Sequence, residues 1–301
     1  MSQTPADQSL SLVAVSVGNT RTRIGVFDAG QLEGSEAIAN TNLEEIAEAI
    51  SRAAAADASR PVILASVNDP IADQVVRTLG DRVPRERLYR LGSDLPIPMA
   101  TALDDETTVG QDRLLAALGA FSRAKQACVV IDAGTAITVD FVDGTGVFQG
   151  GAIAPGLNMM LRAMSEQTAA LPLLRYEKPD PQRGPVGKDT AHAMTLGVRA
   201  ALVGMTRLLI DTYADMYGAY PQIVATGGDA GVFEDDPLVE HIVPDLILLG
   251  IAEACRRSLM EDADEELERE QHDRTSRPSG FDAHVSDKRP PIGDPGGDDD
   301  A

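Results

Sequence analysis

Apolar positions along this chain alternate between two registers: short β-branched runs, and longer stretches with apolar residues three or four apart. Runs at about 12–17, 21–28 and 31–37 predict an antiparallel meander. Behind Asn42, a candidate N-cap, Leu43, Ile46, Ala47 and Ile50 share one face of a helix over 42–53. Residues 61–67 read as a buried strand and 71–79 as a short helix. A loop with Pro96 and Pro98 leads to Gly110-Gln111-Asp112-Arg113, which opens an Ala/Leu-rich helix through Ala120. The pattern then begins again. Strands are predicted at 127–132, 136–142 and 147–154, with a turn at Asp143-Gly144, followed by helices at about 157–169 and 189–217. A strand over 222–226 ends in Gly227-Gly228, and a helix over about 246–258 closes the pattern. Each half therefore starts with three antiparallel strands and continues into helices packed on the sheet.

The first hairpin of each half carries the same turn. Val17-Gly18-Asn19-Thr20 lies between two β-rich runs, and so does Ala133-Gly134-Thr135; aligned on the glycines, the segments match in hydrophobic pattern. A strand–turn–strand unit repeated once per half points to a duplicated domain. One such hairpin is only a tight turn. Two facing each other, with glycine allowing close backbone approach and a hydroxyl or amide beside successive N–H groups, would cradle the phosphates of a nucleotide.

Composition narrows the class. The 301 residues suggest about two domains, and 43% hydrophobic residues supply sizeable cores, packed with aliphatic side chains because Trp is absent. No apolar run approaches the roughly 18 residues needed to cross a bilayer, and the polar N-terminus shows no secretory pattern, so the reading is cytoplasmic. Cys128 and Cys255 form no metal-binding or disulfide spacing. The net charge of −21 argues against nucleic acid as a partner. Residues 261–301 carry 14 acidic and 5 basic residues with Pro and Gly, which reads as a disordered acidic tail.

Gly18-Asn19-Thr20, Gly110-Gln111-Asp112-Arg113, Asp132 to Asp140, Gly150-Gly151-Ala152-Ile153-Ala154-Pro155-Gly156, Gly187-Lys188-Asp189-Thr190 and Thr226-Gly227-Gly228 follow one another in order. Together they closely resemble the type III pantothenate kinases, over about residues 12–257. That family belongs to the sugar kinase, Hsp70 and actin superfamily. The resemblance implies an α/β fold of two ribonuclease-H-like domains clamping ATP, here residues 11–123 and 124–260 between a flexible 1–10 and the tail. It also implies phosphorylation of pantothenate by ATP with Mg²⁺, a monovalent cation (K⁺ or NH₄⁺), and a homodimer whose interface completes the substrate pocket.

By the same resemblance, Ser16, Val17, Gly18, Asn19, Thr20, Arg21, Thr22 and Arg23 line the first phosphate loop, and Thr135 in the second contacts ATP. Asp112 accepts the proton of the attacking hydroxyl. Gly110, Gln111, Asp112, Arg113 and Thr190 hold pantothenate, Arg113 through a planar fork suited to a carboxylate. Asp132 binds the monovalent cation. Each residue also has a plain structural reading: Asp112 favouring a helix dipole, Arg113 as a surface partner, Asp132 capping a turn. His192 is expected on an interior helix face, satisfying a backbone group, and Met159, Met160 and Met164 as core filling. Gly184 to Lys188 is too short for a Walker loop.

Two positions depart from the family pattern. Ser16 stands where the family has an aspartate, two residues before Gly-Asn-Thr. Leu103 stands where a substrate-facing tyrosine is common, with Glu106 at the place of a proline. These changes keep open a weakened or regulatory relative, or a kinase for another small hydroxyl substrate. Asp112, Arg113, Asp132 and Thr135, present as a set, favour the pantothenate kinase.

Overall fold

The computed structural model describes residues 10–260. The expected disordered acidic tail and almost all of the expected flexible N-terminus lie outside the described residues; Leu10 is already buried. Ten strands build two sheets. The first contains β1 (Leu12–Val17), β2 (Arg21–Asp28), β3 (Gln31–Ala39), β4 (Val62–Ser66) and β5 (Leu88–Arg90), in the order β3-β2-β1-β4-β5. The second contains β6 (Cys128–Ala133), β7 (Ala136–Val142), β8 (Phe148–Pro155), β9 (Gln222–Thr226) and β10 (His241–Ile242). From its β8 edge the order is β8-β7-β6-β9-β10, the same arrangement. In each sheet a three-stranded antiparallel meander is extended by two parallel strands. The duplication seen in the hairpins thus covers both sheets, and the fold is the doubled ribonuclease-H-like α/β architecture.

Strand alternation decides which helices cover which face. Val13, Val15 and Val17 of β1 face outward onto α1 (Leu43–Ala55) and α2 (Asp69–Leu79), burying Ile46, Ile50 and Val75. Val129, Ile131 and Ala133 of β6 face outward onto α4 (Leu157–Gln167) and α5 (Thr190–Tyr217). The inward rows, Leu12 and Ala14 on β1 and Cys128 and Val130 on β6, meet a shared core with Leu115 and Leu118 of α3 (Gln111–Ala124) and Leu248 and Ile251 of α6, a helix over 246–260. The next inward residue of each row is polar: Ser16 on β1, Asp132 on β6. Both rows therefore run out of apolar residues at the glycine turns.

Two glycines let α3 and α6 cross closely. A Cβ on Gly250 would lie 1.9 Å from the Leu115 carbonyl oxygen, and one on Gly119 would lie 2.5 Å from that of Leu246. Neither was singled out by the sequence pattern. β5 and β10 were also missed, because three and two residues carry no readable period. α1 starts at Leu43, but the Asn42 side chain makes no capping bond and instead donates to Glu45 Oε2 at 2.9 Å. α2 starts earlier than read, at Asp69, because Asn68 caps it by accepting from Ile71 N. α3 runs four residues past Ala120. α5 has 28 residues and contains an 18-residue window of mean hydropathy 1.5, enough by length and composition to cross a membrane, although Arg199 and Arg207 leave it without a continuous apolar run of that length. Only one of its faces is occupied by the core.

Candidate active site

β1 and β2 are joined by Gly18-Asn19-Thr20, with Gly18 N donating to Arg21 O at 3.0 Å; β6 and β7 are joined by Gly134-Thr135, with Gly134 N donating to Ala136 O at 3.0 Å. The two turns meet across the molecule. Thr20 Oγ1 and Thr135 Oγ1 lie 3.3 Å apart. Charge crosses the same gap: burial raises the pKa of both Asp229 and Asp132, opposed by Arg21 at the first and by Arg23 at the second. Phosphate oxygens between the turns would accept from both hydroxyls, which now share one hydrogen bond in which either can be the donor.

The first turn is braced by a residue the sequence did not flag. Asn40, buried at the end of the meander, donates Nδ2 to Gly18 O at 2.9 Å and its backbone N to Thr20 O at 3.0 Å. Its Oδ1 accepts from Thr22 Oγ1 at 2.9 Å. The Thr22 side chain is fully buried in this bond, and Val17 faces the outer core. What these two residues have to offer a ligand at the turn is therefore their backbone. Arg23 is engaged by Asp245 (Nη1 to Oδ1, 2.7 Å), which also accepts from Ser35 Oγ at 2.8 Å, tying β2 and β3 to the residue before α6.

The second turn rests on glycines. Gly156 is the N-cap residue of α4 and donates to Thr135 O at 3.1 Å; a Cβ there would lie 2.3 Å from Gly134 O. This places the positive end of the α4 dipole behind Thr135, where an anion is favoured. Gly227, at φ 93°, packs as closely: a Cβ would lie 2.4 Å from both Ala133 O and Asp132 Oδ1. Around Gly228 no atom stands within 4 Å of a built Cβ, so this side of the cleft has room. These close-packed backbones around an open gap fit a triphosphate.

Asp132 accepts no hydrogen bond among the described residues. Burial first, then the like charges of Asp112 and Asp140, push its pKa up to about 7, with Arg23 opposing. A carboxylate held this way binds either a proton or a cation. Among the described residues no group of three His, Cys, Asp or Glu could hold a metal ion unaided.

At the start of α3, Asp112 folds back over its N-cap: a Cβ on Gly110 would lie 2.6 Å from Asp112 Oδ1, which accepts from Arg113 N at 2.8 Å. Burial raises its pKa, partly offset by the bond from Arg113 N and the Arg113 charge. Gln111 turns the other way, its amide packed on Gly92. Arg113 is not the open fork expected from the sequence. Its Nε donates to Asp140 Oδ1 and Oδ2 at 3.1 and 3.2 Å, its Nη2 also pairs with Asp140, and the guanidinium carbon sits 5.5 Å from the centre of the Phe148 ring. Asp140 is almost fully buried, and Gly151 leaves it room: a Cβ there would lie 2.4 Å from Asp140 Oδ1. Asp140 was visible in the sequence as a charge inside a β-branched strand, but without a role.

Comparison with known proteins decides the family. The sequence model of the type III pantothenate kinase family matches residues 12–212. A type III pantothenate kinase of Rhodopirellula baltica is 40% identical over 180 residues, covering 58% of this chain and 63% of that protein. One from Dehalococcoides mccartyi is 30% identical, covering 80% and 93%. One from Rhodospirillum rubrum is 31% identical, covering 82% and 98%. The chain belongs to the type III pantothenate kinase family. It is an enzyme that phosphorylates pantothenate with ATP, the first step of coenzyme A biosynthesis. Among solved structures, a Campylobacter jejuni protein described as a Baf family transcriptional activator aligns at TM-score 0.55 and 16% identity, covering 82% of this chain and 98% of that one. That likeness concerns the fold alone.

The two departures from the type III pantothenate kinase pattern can now be placed. Ser16 lies on the inward row of β1, opposite Arg23 in the β1–β2 register, at the position matching Asp132 in the second half. Leu103 packs against the shared core with its Cδ2 near Gly150, on the strand that follows Phe148. Thr190 opens α5 on an exposed first turn capped by Asp189, which accepts from His192 N at 2.8 Å. Among the described residues no hydrogen bond joins Thr190 to the Asp112 group. His192 is buried as expected, but neither ring nitrogen has a partner among the described residues, contrary to the expected backbone bond.

Proposed function

We propose that pantothenate is phosphorylated in the cleft between the two glycine turns, with Asp112 as general base. The observation that carries this is the contact of Thr20 with Thr135, which brings the two phosphate cradles to one place. Gly18, Asn19, Thr20 and Thr135 would hold the triphosphate through backbone N–H groups and hydroxyls, with Arg21 and Arg23 offsetting its charge. ATP supplies the phosphoryl group, and Mg²⁺ neutralises the oxygens it binds. Ser16 offers that metal a hydroxyl in place of a charge. Asp132, half-buried and without a hydrogen bond among the described residues, would hold the monovalent cation.

Pantothenate would lie against Gly110, Asp112 and the Gly150-Gly151 strand, with its primary hydroxyl toward Asp112. The carboxylate takes the hydroxyl proton as the oxygen attacks the γ-phosphorus, and the bond to the β,γ-bridging oxygen breaks. Burial raises the Asp112 pKa and so strengthens it as a base. Arg113, fixed by Asp140, keeps one free nitrogen, Nη1, for a substrate oxygen and supports the Asp112 side of the site. Gln111, its amide packed on Gly92, positions the start of α3 beside the substrate.

The division at residues 123 and 124 separates the two jaws of the cleft. The acceptor pocket is completed in a homodimer through the free face of α5. Gly197 and Gly204 have no atom within 4 Å of a built Cβ there, and Leu208 and Met216 on the same helix are exposed. A second copy would cover this surface and could present Thr190 to its partner's pocket. Covering it with protein also accounts for the apolar length of α5 without a membrane, in keeping with a cytoplasmic enzyme.

The experiment is Asp112→Asn. The amide keeps the shape and cannot accept the proton, so turnover should fall by about 10²–10⁴ with ATP affinity nearly unchanged. Turnover like that of the wild type would refute the assignment.

A further inference from the structure

A second polar concavity lies away from the cleft, between α2, β5 and the loop that follows β5. It is a groove of about 420 Å³, within the roughly 300–1,000 Å³ range of small-molecule sites. Arg77, Arg85 and Arg90 line it together with the carboxylates of Asp73 and Asp94 and the Ser93 hydroxyl, and its apolar side chains are Val76 and Leu88. Arg90 is committed to Asp73, Nη2 to Oδ1 at 2.6 Å. Arg77 and Arg85 have no hydrogen-bond or ion-pair partner among the described residues. Both are exposed, and with Arg90 they give the groove three guanidiniums against the carboxylates of Asp73 and Asp94, so an anion entering it would meet two guanidiniums free to turn toward it.

We propose that this groove binds a phosphate monoester carrying an apolar body, and that its occupancy is felt at the catalytic turn. Near neutral pH such a group carries close to two charges, which match Arg77 and Arg85, and planar guanidinium forks pair with phosphate oxygens. The ester's body lies on Val76 and Leu88. The route to the active site is short and continuous. Arg90 and Asp94 close a turn in which Asp94 N donates to Arg90 O at 2.9 Å, and Asp94 Oδ2 accepts from Arg90 N at 2.8 Å. Inside this turn sits Gly92, at φ 85°, where a Cβ would lie 2.3 Å from Gln111 Nε2. Gln111 is the first residue of α3, next to Asp112. An anion that draws on Arg90 moves the turn on which Gln111 rests.

The test uses the full chain with its active site filled by a non-hydrolysable ATP analogue and pantothenate, titrated calorimetrically with phenyl phosphate and with inorganic phosphate. One equivalent of each should bind, phenyl phosphate about tenfold tighter, the effect of covering roughly 60 Å² of apolar surface. The double variant Arg77→Ala/Arg85→Ala should lose both. It should keep wild-type turnover without added phenyl phosphate, whereas phenyl phosphate should change the KM for pantothenate in the wild type only. No binding to the filled wild-type protein, or unchanged binding in the double variant, overturns the site. Equal affinity for the two probes overturns the apolar body, and binding without a kinetic shift overturns the coupling. The calorimetric arm does not depend on turnover, so its failure is distinct from failure of the kinase reading.

Discussion

Ser16 and Asp132 are the same residue of the repeat, placed on inward rows that end at opposing turns, and they differ by one charge. At this scale the chain departs from its family. If the missing carboxylate weakens the hold on Mg²⁺, Ser16→Asp should raise turnover about tenfold, or ~1.4 kcal/mol. It should also lower the Mg²⁺ concentration needed for half-maximal rate. Kinetics across a Mg²⁺ titration reads both, and an unchanged or slower enzyme would mean that another group already serves the metal. Asp132 makes a different prediction. Its folded pKa of about 7 exceeds the ordinary 3.8, so the folded state holds this proton better than the unfolded state does. The resulting stability is complete below about pH 4 and is lost as pH rises through about 7. Without added cations, Asp132→Asn should match the wild type in thermal stability near pH 4. At pH 8 it should melt higher by on the order of 10 °C, from the roughly 4 kcal/mol of that pKa difference at about 2–4 °C per kcal/mol. Thermal melts at the two pH values check this; an equal difference at both would show that Asp132 does not titrate in this range.

Among the elements, the crossing of α3 and α6 sets the geometry of the catalytic turn, because α3 carries Asp112 at one end and Gly119 in its middle. The Leu115 carbonyl lies 1.9 Å from where a Gly250 Cβ would stand, and backbone cannot swing aside as a side chain can. Gly250→Ala should therefore cost about 3 kcal/mol in denaturant unfolding and lower turnover by shifting α3. Ala at Gly231, in a short 3₁₀ turn where no atom lies within 4 Å of the added Cβ, is the control for an added methyl group without a clash. If the two variants are equally stable, the helices have slack at the crossing. The sequence showed the start of α3 through its motif and the helix itself through its period. It could not show Gly119 or Gly250, because a glycine inside an apolar helical pattern reads only as a weak helix former.

For the whole molecule, the unfilled face of α5 is the feature that a single chain leaves unexplained. If two copies meet there, Gly204→Arg, which points a long cation from a position with open space around it, should turn a dimer into a monomer in sedimentation. It should also raise the KM for pantothenate more than that for ATP, because the acceptor pocket is the part completed across the interface. A wild-type monomer, or a dimer unaffected by the change, would place the interface elsewhere.

How much of this was legible follows from the range of each interaction. Alternation and helical period are local, so the three-stranded start of each half, the order of helices and the two glycine turns could be read directly, whereas the edge strands β5 and β10 could not. The motif residues Gly18, Asp112, Asp132 and Thr135 could be read by resemblance. Contacts between residues far apart in sequence were not readable. Only the fold shows that Thr20 meets Thr135, that Asn40 holds the first turn and buries Thr22, and that Asp140 takes up the Arg113 fork expected for substrate. The sequence by itself determined the repeating units and the chemistry at their turns. The tertiary structure decided which charges face one another, because burial and pairing depend on distances that no local pattern records.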